Sequence, residues 1–164
     1  MRAKLFTTVA LVGAVALGGV PAPASDVGSI YDTLALMKDH TVLTVAIKEA
    51  DEVANLKGQE QYTLFAPTDA AFKKLDEATI KSLATDKAAV KRFVRAHVVP
   101  GKVTVEGLKE LSGKELRTLQ GGDLSVSGAK DGLRVGGAKI VSGNVLCSNG
   151  VIHVIDTVLP VAKE

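Results

Sequence analysis

The chain changes its hydrophobic period near Pro100-Gly101, and that change limits the fold more than any other feature. Before it, apolar residues recur at helical spacing. Ile30, Leu34 and Met37 form one stripe. Leu43, Ile47, Ala50 and Ala54 form a second, widened by Val42, Ala46 and Val53. After it the sequence is Gly-rich and alternating. Lys114 to Leu119, Asp123 to Ser127, Leu133 to Val135, Ala138 to Val141 and Val151 to Ile155 read as strands. Gly121-Gly122, Asp131-Gly132 and Gly136-Gly137 stand at the turns between them. Helices first and a meander afterwards specify an α+β domain, not a βαβ repeat.

Local signals set the boundaries. Ser29, followed by Asp32, reads as an N-cap with a partial capping box. One helix is expected from Thr41 to Leu56, closed by a left-handed Gly58. Gln61 to Ala66 is the first strand, ended by Pro67. Thr68 or Asp69 is expected to cap the short helix that follows, through Leu75, by satisfying its free N–H groups. Asp76 caps the next helix, and Thr85 or Asp86 opens another that runs to about Ala96. Asn149-Gly150 supplies positive-φ residues for a tight turn into Val151–Ile155. Asp156 interrupts this apolar run, so it requires a partner or water.

The first residues read as a signal peptide. Arg2 and Lys4 precede an apolar stretch from Leu5 to Val20, and Ala22-Pro23-Ala24 is an A-x-A site with the cut expected before Ser25. Residues 1–24 are then the signal peptide and 25–164 a single domain, with no transmembrane segment after cleavage. Removing Arg2 and Lys4 from 20 basic residues leaves 18 against 18 acidic ones. With no basic cluster interleaved with aromatics, nucleic acid is not an expected partner. Cys147 is the only cysteine, so no internal disulfide forms. Beside an apolar strand it reads as a small buried hydrophobe, and the mature domain is expected to be a monomer. A small domain without disulfide or sequon suits a secreted or periplasmic protein.

Little in the sequence carries catalytic chemistry. His40, His97 and His153 lack metal-ligand spacing. His40, after Asp39, reads as a helix-end residue that satisfies terminal carbonyls. No G-x-S-x-G elbow exposes a nucleophile. The Gly pairs join strand to strand and do not cradle phosphate. Asp51-Glu52 and Asp76-Glu77 read as solvated surface or caps. No catalytic residue, metal or cofactor is assigned.

Three segments carry a family resemblance. Thr63-Leu64-Phe65-Ala66-Pro67-Thr68-Asp69-Ala70-Ala71-Phe72, Phe93-Val94-Arg95-Ala96-His97-Val98-Val99-Pro100-Gly101 and Asn149-Gly150-Val151-Ile152-His153-Val154-Ile155-Asp156 resemble, in order, the motifs of the fasciclin-like (FAS1) domain. The resemblance runs from about Ser29 to Val161. It implies a wedge of two small β-sheets with several helices packed along it. It also implies a non-enzymatic interaction module for adhesion, or for binding an extracellular or envelope protein or polysaccharide. A second function known among such domains is carriage of a lipophilic, carotenoid-like ligand. Ala96 stands where the family usually has Tyr, which removes a phenolic handle used in receptor adhesion and leaves room for a crevice. The motif residues of interest are Thr68, Asp69, His97, Val98, Asn149, Gly150 and Asp156. Because the resemblance brings the central and C-terminal motifs together, His97 is expected to donate a ring N–H to Asp156 or to a nearby backbone carbonyl, as a structural tether.

Overall fold

The computed structural model describes residues 28–161. The expected signal peptide and the cut before Ser25 lie outside the described residues. Helices α1 (Ile30–Leu36), α2 (Thr41–Glu49) and α3 (Val53–Lys57) precede strand β1 (Tyr62–Pro67). Then come α4 (Asp69–Phe72), α5 (Glu77–Thr85), α6 (Lys87–Ala96), β2 (Val98–Pro100) and α7 (Val105–Glu110). Strands β3 (Glu115–Arg117), β4 (Asp123–Ala129), β5 (Gly132–Val135), β6 (Ala138–Cys147) and β7 (Gly150–Ile155) complete the chain. The long helix expected from Thr41 to Leu56 is two helices. Asp51 takes φ 57° between them, a left-handed conformation that a helix interior does not accept. Gly58 is not left-handed, with φ −68°. Strand β6 runs six residues further than its alternation suggested.

The strands lie in the order β2-β1-β7-β6-β5-β4-β3. All neighbours are antiparallel except β1 and β7, whose parallel register pairs Phe65 with His153. The α+β class holds, and the described strands form one seven-stranded mixed ladder that runs through β6. That strand shifts register twice between Ile140 and Val145, the kind of irregularity at which a strand bends. The far ends of the ladder also meet. Leu119, just past β3, donates its N–H to the Val98 carbonyl on β2 at 2.9 Å, which partly covers that edge.

This arrangement puts β1 and β7 in the middle of the molecule with both faces covered. All six residues of each are buried, which explains why neither alternates polar with apolar. One face, with Leu64 and Ile152, joins Ile30, Leu34, Leu43, Ile47 and Phe93 from the helices. The other, with Phe65 and Ile155, joins Leu108, Val126, Val135 and Leu159. Phe65 and Phe72 are both buried, as is Cys147. In β4 only Leu124 and Val126 are buried while Asp123, Ser125 and Ser127 face water, the pattern of a half-covered strand.

Candidate interaction site and the buried polar ties

His97 closes α6 and is fully buried. Its Nε2 accepts the Leu159 N–H at 3.0 Å, so the ring proton sits on Nδ1, which donates to the Phe93 carbonyl at 2.8 Å. The ring also packs on Phe93, centroids 4.4 Å apart. His97 does donate to a nearby backbone carbonyl, but that carbonyl is in its own helix; the tie to another part of the fold is the Leu159 N–H it accepts, and the direct bond to Asp156 does not form. Burial drives the His97 pKa from 6.5 to about 4, against the opposing pull of the Phe93 carbonyl. Asp156 lies just past β7, not within it. Its Oδ1 accepts from the Lys139 N–H at 3.1 Å and the Thr157 hydroxyl at 3.0 Å. Burial alone would raise this carboxyl, but those bonds and the nearby Lys74 and Arg134 hold it below the ordinary value.

His153 makes a parallel tie. Its Nε2 donates to the Val103 carbonyl at 2.7 Å, and its Nδ1 accepts the Asn144 N–H at 3.3 Å. The ring stacks on Phe65 at 5.6 Å, and burial lowers its pKa. Buried Thr63, beside Phe65 on β1, donates to the Gly101 carbonyl and accepts from the Val103 N–H. Sequence reasoning weighed His153 only as a metal ligand and gave Thr63 no role of its own, although a polar side chain inside a β-branched run was the available signal. Val98 is buried on β2 opposite Leu64.

Asn149 and Gly150 do more than make a turn. Asn149 is not left-handed. Its buried Oδ1 accepts the Ile30 N–H at 2.8 Å, and its Nδ2 donates to the Leu56 and Gly58 carbonyls at 2.9 and 3.0 Å. It clasps the start of α1 and the end of α3 to the β6–β7 turn. Gly150, with φ 153°, lies so close to β1 that a Cβ would stand 1.9 Å from the Tyr62 carbonyl oxygen.

Thr68 caps α4 as expected, its Oγ1 accepting the Ala71 N–H. Asp69 does not cap its own helix. Its carboxylate caps α2, 28 residues back, accepting from the Thr41 hydroxyl at 2.6 Å and N–H at 3.3 Å and the Val42 N–H at 3.0 Å. Burial would raise its pKa, but these bonds bring it below the ordinary carboxylate value. His40 is the residue before α2, not a group satisfying helix C-terminal carbonyls. Its ring is buried and neither nitrogen makes a well-aligned hydrogen bond. Burial lowers its pKa, opposed by the Ala66 backbone and Asp69. Glu52 is not solvated surface. It is 3 % exposed and paired with Arg95 at 2.8 Å.

Of the motif residues, His97, Val98, Asn149 and Gly150 are buried, whereas Thr68, Asp69 and Asp156 are half-buried and engaged in hydrogen bonds within the chain. The surface feature that stands out is a groove of about 740 Å³ between α2, α4, α5 and α6. Val42, Val45 and Ile80 line it and are 42 %, 57 % and 44 % exposed. Ala96 is buried and does not line this groove, so the small residue at the Tyr position opens no crevice here. Among the described residues no group of three or more His, Cys, Asp or Glu side chains could hold a metal ion. No described helix is long and apolar enough to cross a membrane.

Comparison with known proteins places this architecture. The fasciclin domain model matches residues 38–161. The cell surface glycolipoprotein MPB83 of Mycobacterium bovis is 38 % identical over 149 residues, covering 84 % of this chain and 64 % of MPB83; the chain thus spans under two thirds of that relative. Protein sll1483 of Synechocystis is 37 % identical over 134 residues, covering 80 % of this chain and 72 % of its own. Immunogenic protein MPB70 of Mycobacterium bovis is 35 % identical over 148 residues, covering 84 % and 73 %. Among solved structures, the FAS1 domain pair of the insect cell adhesion molecule fasciclin I superposes with a TM-score of 0.72 at 20 % identity, over 96 % of this chain and 57 % of that one. Two thirds and more of the sequence, its three motifs and its fold agree: the chain belongs to the fasciclin domain family.

Proposed function

We propose that this protein is a non-enzymatic interaction module, exported and cleaved before Ser25, that works outside the cytoplasm as a monomer on an envelope protein or polysaccharide. One observation carries the reading. The polar motif side chains are engaged in hydrogen bonds within the chain, while apolar Val42, Val45 and Ile80 remain open on the helical face. Exposed apolar clusters of this kind mark interaction surfaces. The similar MPB83 is a cell surface glycolipoprotein, which supports the location. The test is saturable binding of the mature protein to isolated envelope fractions, before and after protease or polysaccharide-lyase digestion. Loss of binding after one digestion identifies the partner class, and retention that never saturates refutes the reading. N-terminal sequencing of exported material checks the cut.

The same groove favours a second reading, carriage of a lipophilic small ligand. Its volume of about 740 Å³ lies within the range of about 300–1,000 Å³ for small-molecule sites. Organic extraction of protein purified from its source, followed by mass spectrometry, tests this. A stoichiometric lipophile supports it, and a ligand-free extract removes it.

A further inference from the structure

His40 is the one imidazole that the buried ties leave out. His97 and His153 each use both ring nitrogens. The His40 ring is 3 % exposed, yet among the described residues neither nitrogen has a hydrogen-bond partner. A buried polar group in this state gains nothing to offset its lost hydration, and it calls for an explanation.

The residue sits in a joint fastened on both sides of it in the chain. Before it, the Asp39 carbonyl accepts the Asp69 N–H at 2.8 Å. After it, the Asp69 carboxylate holds Thr41 and Val42. The start of α2 is thus clasped to the start of α4. The carboxylate bonds of the clasp are exposed to water, and exposed bonds over few buried contacts are the ones that open locally. The charged groups that act on the ring are Asp69, on α4, and Asp39, on its own segment. Strand β1 brings only the Ala66 backbone, and α2 carries its charges, Lys48 and Glu49, at its far end. In the closed joint burial outweighs the two acids and lowers the pKa of the ring. Once the ring reaches water, burial no longer opposes the proton and both acids favour it.

We propose that His40 makes this joint a proton-operated latch: protonation drives the ring out of its slot, parts residues 39–42 from Asp69 and frees the first turn of α2, while the sheet stays folded. The closed ring binds a proton less readily than the open one, so the latch is shut above about pH 6.5 and loosens as pH falls. Val42 and Asp69 both line the groove, so acidification loosens one end of it. The latch does not depend on what the groove binds.

The experiment is amide hydrogen exchange by NMR on the mature protein between pH 7.5 and 5.5, corrected for intrinsic exchange, for wild type, His40→Phe and His40→Gln. Asp69 stays ionised throughout this window, because its carboxyl lies below the ordinary value. In wild type the opening of the Val42 and Asp69 amides should rise as pH falls, approaching about tenfold per pH unit below about 6.5, one proton per opening. Both should exchange faster than the Phe65 amide, which bonds the His97 carbonyl in the sheet core, because the latch opens without global unfolding. Both variants should flatten the pH dependence at Val42 and Asp69, since neither side chain titrates; if one does not fold, the other decides. Equal pH slopes in wild type and variant overturn the proposal. So does a Val42 amide that exchanges no faster than that of Phe65. Protection that rises on acidification also overturns it, since it would mean that protonated His40 pairs with Asp69 and tightens the joint.

Discussion

The His97 tie makes a quantitative claim about acid stability. The folded state keeps the imidazole neutral down to about pH 4, whereas the free side chain titrates at about 6.5. The folded pKa is depressed, so between those values the unfolded chain binds more protons. Stability from this site is therefore complete above about pH 6.5 and is lost as pH falls towards 4. A gap of about two and a half pH units, at about 1.36 kcal/mol per unit, corresponds to about 3 kcal/mol. The geometry gives the reason. Protonation would put an Nε2–H against the Leu159 N–H, donor against donor, inside a dry core. The assay is urea unfolding at half-unit steps from pH 7.5 to 4, for wild type and His97→Gln. The variant keeps an amide able to donate and accept, but it cannot titrate. It should start less stable and then lose about 3 kcal/mol less than wild type across the window. His40 and His153, also depressed by burial, contribute to both curves and cancel in the difference. Parallel curves, or an NMR titration of His97 centred near 6.5, would refute the reasoning.

Three further perturbations test the other ties. Asn149→Ala strands the Ile30 N–H and the Leu56 and Gly58 carbonyls; a loss of about 2–3 kcal/mol is expected by urea unfolding, and an unchanged midpoint would contradict the clasp. Gly150→Ala forces a Cβ onto the Tyr62 carbonyl and should cost about 3 kcal/mol or yield little soluble protein. Asp69→Ala uncaps α2 from a distance and should cost about 1 kcal/mol, with faster amide exchange at Val42 while the α4 amides are unaffected.

What the sequence disclosed, and what it hid, follows from the range of each interaction. The helix caps at Ser29, Thr68, Asp76 and Asp86 were legible because donor and acceptor lie within three residues of each other. Periodicity located the core helices. The Thr41 helix was read too long because its apolar spacing continues through Val53, while the break is a backbone event at Asp51. The partners of Asp69 and Asn149, and the Leu159 N–H that His97 accepts, lay outside any local window. Asn149 bonds Ile30 across 119 positions, and Leu159 bonds His97 across 62. Sequence pattern identified these residues as significant but did not reveal their distant partners Thr41, Ile30 and Leu159.

The engagement of the motif residues within the fold bears on how a domain of this kind varies its function. Strands β1 and β7 are covered on both faces, so their neighbours must be held at fixed distances without a solvent-facing side to absorb error. His97, His153, Thr63 and Asn149 hold them by directional bonds to backbone groups, which depend on main-chain position and not on neighbouring side chains. Each of the four residues links two parts of the fold, His97 through the Leu159 N–H, and each such bond would leave a buried polar atom unpaired if lost. The helical face has no such constraint: Val42, Val45 and Ile80 contact little and can change without breaking a tie. Stability then restricts substitution at the motifs and leaves the groove along α2 open to selection for a ligand or partner. The three motifs therefore identify the fold, while specificity is to be sought on α2 and α5.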